Sequence, residues 1–323
     1  MSEYKTIHGI HVQALDTDPS NLGAGQVWYN TTSNQLKITA VSTSGSWATG
    51  GNLGTARYNM GSAGTQTAGL AFGGNPGSAP TTNVTQHYDG SAWTGGGNMG
   101  TTRYALAGAG TQTAGLGFGG YDGNEGLTAT EHYDGSSWTA GGNMATGRYF
   151  LAGAGTQTAG LAIGGYAPTT VEHYDGSAWT GGGNMATSRR EHAGAGTQTA
   201  GLVFGGYTPS NPTTNATEHY DGSAWTAGGN MATGRNRLSG TGTQTAGLAF
   251  GGYDGSNELT ATEHYDGSAW TSGGNMATSR YYLAGCGTQT AGLAFGGYDN
   301  PSTTNATEEY TGPGITTQTV TAS

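Results

Sequence analysis

The chain has 323 residues and a formal net charge of −10, and its only lysines are Lys5 and Lys37, so no basic stripe exists to follow a phosphate backbone and nucleic acid is not an expected partner. It holds no run of about 18 apolar residues, so membrane insertion is not expected, and the first 15 residues lack the apolar stretch of a secretory signal. Glycine is abundant (64 residues) and charge is sparse (9%), a composition common in disordered chains, yet 10% of residues are aromatic and apolar residues return at fixed positions, which indicates a thin, repeated core instead.

Residues 1–23 precede any repeat and are read as a separate N-terminal segment. Residues 24–54 are read as a divergent first unit, because Ala24-Gly25 precedes Trp47 by nearly the interval that Ala114-Gly115 keeps before Trp138 and Ala246-Gly247 before Trp270. Regular repeats follow over 55–311. The string Gly-Thr-Gln-Thr-Ala-Gly-Leu occurs six times, with its Gln at positions 66, 112, 157, 198, 244 and 289. This is a period of roughly 45 residues, within the range of repeat architectures.

Each unit accommodates four short strands. Strand a follows an Arg, as in Arg148-Tyr-Phe-Leu-Ala-Gly. Strand b is Thr-Ala-Gly-Leu-Ala-Ile, where Leu161 and Ile163 alternate onto one face with period two. Strand c is Val-Glu-His-Tyr, ending at Tyr174, and strand d carries Trp179. Between c and d, Asp175-Gly176 is a two-residue hairpin signal, since Gly tolerates the positive φ such turns require. No segment of the repeat has helical spacing. Four-stranded sheets repeated at this period make an all-β propeller, whose radial packing leaves only short edges.

An apolar strand ending in Gly-Gly, a Tyr, a Trp at a set distance and then Met-x-Thr-x-Arg resembles the kelch repeat, over about residues 45–311. The Thr/Gly-rich, lysine-poor version of it, with Gly25-Gln-Val-Trp-Tyr-Asn-Thr-Thr-Ser-Asn-Gln-Leu-Lys37 near the start, resembles structural and tail-fibre proteins of tailed phages, marine ones especially. Seven blades are expected, with six as the alternative. In the seven-blade reading the first blade takes strands b, c and d from 24–49 and residues 312–323 supply a closing C-terminal strand. In the six-blade reading an N-terminal strand d joins C-terminal strands a to c.

Consecutive antiparallel strands place the d-to-a and b-to-c connections at one end of each sheet and the a-to-b and c-to-d turns at the other. The second end is nearly invariant, with Gly-Thr-Gln-Thr and Asp-Gly-Ser turns. Variation gathers at the first, where binding residues sit on loops held by a rigid scaffold. The candidate ligand-binding residues there are Tyr104, Phe150, Arg190, Glu191, His192, Asn236, Arg237, Tyr281 and Tyr282 after the repeated Arg, and Asp122, Asn124, Asp254 and Asn257 in the b-to-c loops. Those from adjacent repeats are expected to gather around the mouth of a central channel.

Catalysis is not expected. His87, His132, His173, His219 and His264 recur at one position of successive repeats, too far apart to share a metal, and are read as packing between sheets. Cys286 is alone and replaces a small residue. No cofactor is implied. Asn30, Asn83, Asn215 and Asn305 stand in Asn-x-Thr sequons, which a Thr-rich chain produces by chance. The resemblance implies a non-enzymatic, virion-associated adhesion protein at an extracellular surface, contacting host-surface carbohydrate or protein. Residues 1–23 would then join it to other virion proteins. A self-assembling particle or filament subunit, docking copies of itself, is the main alternative, and a glycan-acting propeller enzyme is a weaker one.

Overall fold

The computed structural model describes residues 4–7, 10–77, 81–166 and 170–320. The b-to-c loop positions 78–80 and 167–169, and residues 1–3, 8–9 and 321–323 of the terminal segments, lie outside the described residues. The chain divides into two compact units, Met1–Gly45 with Gly312–Ser323, and Ser46–Thr311. The smaller is a five-stranded sheet in the order Tyr4–Ile7, Ile10–Leu15, Val27–Asn30, Gln35–Ser42, Gly314–Thr319. Its buried Trp28 donates its indole N–H to Asp18 Oδ1 at 3.0 Å, and Asn30 donates its amide to the same oxygen at 2.8 Å.

The larger unit holds six four-stranded antiparallel sheets and no helix among the described residues. The second sheet is typical: strand a is Ala107–Thr111, b is Ala114–Phe118, c is Thr130–Tyr133 and d is Trp138–Ala140. Gly-rich strands a line up beside one another from sheet to sheet, and the last, Ala284–Gly287, lies beside the first, Gly61–Thr65. This close approach explains the glycine content: a Cβ on Gly108 would stand 2.2 Å from the Ser62 carbonyl oxygen and 2.7 Å from the Phe72 ring. The result is a β-propeller-like repeated architecture.

Adjacent sheets are tied by the landmarks of the repeat. Each strand-b Phe or Ile (Phe72, Phe118, Ile163, Phe204, Phe250 and Phe295) is fully buried. Trp138 packs on Phe72 of the preceding sheet at 4.8 Å and donates its indole N–H to Thr85 at 2.8 Å. Gln112 donates to two backbone carbonyls of the preceding sheet, Gly69 at 2.9 Å and Tyr88 at 2.7 Å. His87 shares a 2.7 Å hydrogen bond with the Tyr133 hydroxyl of the following sheet, and the other four repeated His bond a Tyr in the same way. The sequons are structural too. Asn83, Asn215 and Asn305 donate to the carbonyls of Met99, Met231 and Leu53, and Thr85, Thr217 and Thr307 accept Trp indoles.

The divergent blade expected over 24–54 is not one of these sheets. Val27–Asn30 and Gln35–Ser42 belong to the five-stranded sheet, whereas Ser46–Thr49 pairs with Thr307–Thr311 and completes the sixth four-stranded sheet. The reason is Trp47, which repeats the contacts of Trp138: 5.1 Å to Phe250 of the preceding sheet and an indole bond of 2.9 Å to Thr262. Nor does the C-terminal strand close the repeats, since Gly314–Thr319 pairs with Gln35–Ser42. Residues 4–7 and 10–15 of the expected attachment segment are strands of that same sheet.

Phe204→Ala, which hollows the contact between the fourth and fifth sheets, is expected to cost about 3–5 kcal/mol in a denaturant titration. An unchanged midpoint would mean that strand b does not face a neighbouring sheet.

Candidate functional site

The d-to-a connection of each sheet turns back through one residue in the left-handed region: Asn59, Ala105, Phe150, Glu191, Arg237 and Tyr282, all with φ between 54° and 56°. For residues other than Gly and Asn this conformation is uncommon. What holds it is a cycle of backbone hydrogen bonds. The amide of Ala105 donates to Asn59, Phe150 to Ala105, Glu191 to Phe150, Arg237 to Glu191, Tyr282 to Arg237, and Asn59 back to Tyr282, at 2.7–3.0 Å. The six bonds return on themselves, from the last of these six turns to the first. The residues around this cycle line a cavity of about 140 Å³ bounded by all six strands a.

Six different side chains occupy these six positions. Phe150 and Tyr282, from the third and sixth sheets, stack across the axis with centroids 5.6 Å apart and planes 18° apart. Glu191, whose side chain is 7% exposed, accepts from Arg237 Nε at 3.1 Å and from the Tyr282 hydroxyl at 2.9 Å. Burial, followed by the Glu191 charge, raises the Tyr282 phenol far above its ordinary range. Asn59 and Ala105 complete the cycle, and neither is among the candidates drawn from sequence.

Outside the cycle lies a girdle of aromatic rings. The residue before each left-handed position is Tyr58, Tyr104, Tyr149, Arg190, Asn236 or Tyr281, and it bonds the residue after Gly-Gly through the backbone. That second set is Asn75, Tyr121, Tyr166, Tyr207, Tyr253 and Tyr298. Rings follow one another at 5.7 Å from Tyr104 to Tyr121, 4.8 Å to Tyr149 and 4.9 Å to Tyr166. On the other side Tyr253, Tyr281, Tyr298 and Tyr58 run at 5.9, 5.4 and 6.1 Å. The Tyr after Gly-Gly is so regular that it reads as a repeat landmark; only the folded register shows that it faces the variable residues.

Of the candidates, Tyr104, Phe150, Arg190, Glu191, Arg237, Tyr281 and Tyr282 are brought together at this end. Asp122 and Asp254 hold the backbone of their loops: Asp122 Oδ1 accepts from the amides of Asn124 and Glu125 at 2.8 and 2.9 Å, and Asp254 Oδ1 from Ser256 and Asn257 at 2.8 and 2.7 Å. The Glu125 amide, then that of Asn124, holds the Asp122 carboxyl below the usual range. Asn124 and Asn257 are exposed at the loop tips. Two candidates are buried. Asn236 is buried at 5% exposure and donates to the Pro212 carbonyl at 2.9 Å. His192 occupies a place taken by Leu106, Leu151, Leu238 and Leu283 in other repeats, and is buried against Gly164 and Gly206. It has no side-chain hydrogen bond among the described residues.

The opposite end is scaffold. Besides the Gln donors, each Asp-Gly-Ser turn is closed on its own Asp, as where Asp175 Oδ1 accepts from the amides of Ser177 and Ala178 at 2.8 Å. The repeated Arg is buried as well. Arg103 donates to the carbonyls of Gly119 and Ala129 and to Glu131 at 2.8 Å, pinning the base of its b-to-c loop. In the first sheet Gln86 replaces that Glu; burial pushes Arg57 down to about 10, and it stays cationic at neutral pH. Among the described residues no three His, Cys, Asp or Glu side chains are grouped to hold a metal.

Fold and site define a propeller-like repeat protein with one uniform end and one individually furnished end. No family model matches the chain, and no curated protein matches it.

Burial, then the Arg189 charge, pushes the His192 imidazole down from 6.5 to about 3, so it is neutral in the folded protein. The unfolded chain takes up this proton near pH 6.5, so stability is full above that value and falls as the pH drops towards 3. His192→Leu is therefore expected to be the more stable protein in acid, the gap widening by at most about 1.4 kcal/mol per pH unit. Urea midpoints of both proteins at neutral and acidic pH check this, and parallel pH profiles would contradict it.

Proposed function

We propose that Ser46–Thr311 is a six-bladed, kelch-type propeller that binds saccharide at its furnished end. Its setting is the surface of a virion, as part of a tail fibre or decoration that attaches to a host. The observation that carries the reading is the girdle of Tyr rings around the axis at one end only. Sugar rings present apolar C–H faces that stack on aromatic rings, while hydroxyls at the rim take hydrogen bonds. Many such contacts, each weak, add up when a polymer or an array of copies is engaged. The reading is non-enzymatic: Glu191, the one acid of the cycle, is occupied by Arg237 and Tyr282, and among the described residues that line the cavity there is no second carboxylate. The five-stranded unit is the proposed attachment to other virion proteins.

The double variant Tyr281→Ser, Tyr298→Ser, compared with Thr199→Ala at the uniform end, tests it. On an immobilised panel of oligosaccharides the first is expected to weaken binding roughly tenfold or more, and the second to leave it unchanged. Equal loss from both would contradict a one-sided face. A wild-type protein that binds no saccharide, and instead sediments as assemblies that the Tyr changes dissolve, would favour a self-assembling subunit.

A further inference from the structure

The chain contains eight arginines. Arg57, Arg103, Arg148, Arg189, Arg235 and Arg280 are buried and donate to carbonyls and to a Glu or Gln of their own sheet. Arg237 is engaged by Glu191. Arg190 differs: among the described residues its guanidinium has no carboxylate partner and no side-chain hydrogen bond. Residues 167–169, which lie outside the described residues, are Ala, Pro and Thr in sequence.

The guanidinium is nevertheless held in place. Its carbon lies 4.0 Å from the ring centroid of Tyr207 and 4.7 Å from that of Tyr166. Such contacts orient the cation without using its N–H donors. It stands in a cleft of about 460 Å³ lined by Gly165, Tyr166, Ser188, Tyr207 and Pro209. That volume falls in the usual range for small-molecule sites. Tyr166 is 51% exposed, the most open aromatic ring of the girdle.

Charge singles out the same place. The b-to-c loops of the second, fifth and sixth sheets carry acids, Asp122 and Glu125, Asp254 and Glu258, and Asp299. Those flanking Arg190, from Tyr166 to Thr170 and from Tyr207 to Asn215, carry none. The residues that line the cleft include no acid, and Arg190 is its one charged side chain without a carboxylate partner among the described residues.

We propose that this cleft is a subsite for an acidic saccharide: the sugar ring lies against Tyr207, and its carboxylate or sulfate takes the Arg190 N–H donors. Guanidinium and such anions match as paired donors and acceptors. The inference rests on the saccharide-binding reading above and narrows it to an anionic residue at one position.

The test titrates the full chain with three oligosaccharides of equal length: oligogalacturonate, a sulfated galactan and a neutral galactan. The wild type is expected to bind at least one anionic form roughly tenfold or more tighter than the neutral one, and the preferred form distinguishes carboxylate from sulfate. Arg190→Gln is expected to lose that preference while keeping neutral binding, and Arg190→Lys to recover part of it. Rising salt, which needs no variant, should weaken wild-type binding of the anionic form and spare the neutral one. Unchanged anionic binding by Arg190→Gln, or a wild type that treats the three alike, overturns the acidic subsite and leaves the saccharide face standing. Binding of none of the three overturns both.

Discussion

The cycle of six backbone hydrogen bonds at the d-to-a turns is the constraint on which the rest of this molecule depends. It ties the first repeat to the last, because the amide of Asn59 finds its acceptor in the carbonyl of Tyr282. It also forces a left-handed residue into every repeat, at about 1–2 kcal/mol for each residue with a Cβ, partly offset by a hydrogen bond worth about 0.5–1.5 kcal/mol. Once the backbone is committed, the side chain at that position need not repeat one contact from sheet to sheet. Asn, Ala, Phe, Glu, Arg and Tyr can all occupy it, and the chain uses all six.

The rest of the repeat has no such freedom. Gly115, a glycine in all six repeats, lies so close to Leu70 that a Cβ would stand 2.7 Å from its side chain, and each Gln donates to the same pair of carbonyls one sheet away. Near-identity of the repeats follows from near-identity of the contacts. Departures occur where the last sheet meets the first. Glu309 replaces the repeated His and accepts from the Tyr88 hydroxyl at 2.5 Å, while burial, then this bond, pushes the Tyr88 phenol up to about 12. Uniformity at one end and variety at the other are two consequences of the same geometry.

Much of this was legible in the sequence because the repeat encodes contacts within one unit and its neighbour. Strand positions, the buried Phe series, the Asp-Gly turns and the two unlike ends follow from period and alternation alone. The pairing of residues 24–49 was not legible, because Ala24-Gly25 imitates the start of a strand b, whereas partner choice by Ser46–Thr49 depends on Thr307–Thr311, far along the chain. His192 and Asn236 resemble binding residues because they break the repeat. Breaking a repeat, however, marks a changed environment and not exposure, and His192 fills a Leu site. Conversely Tyr166 and Tyr207 are regular, and their role beside Arg190 arises only from the cross-loop register.

The central claim, that the furnished end is the binding face, is tested most directly by hydroxyl-radical footprinting with and without a bound oligosaccharide. The account predicts that oxidation of Tyr166, Tyr207, Tyr281 and Tyr298 falls on binding, while Trp93, Trp138, Trp179 and Trp225 of the strands d react as before. Protection of the Trp series with the Tyr girdle unchanged would contradict it.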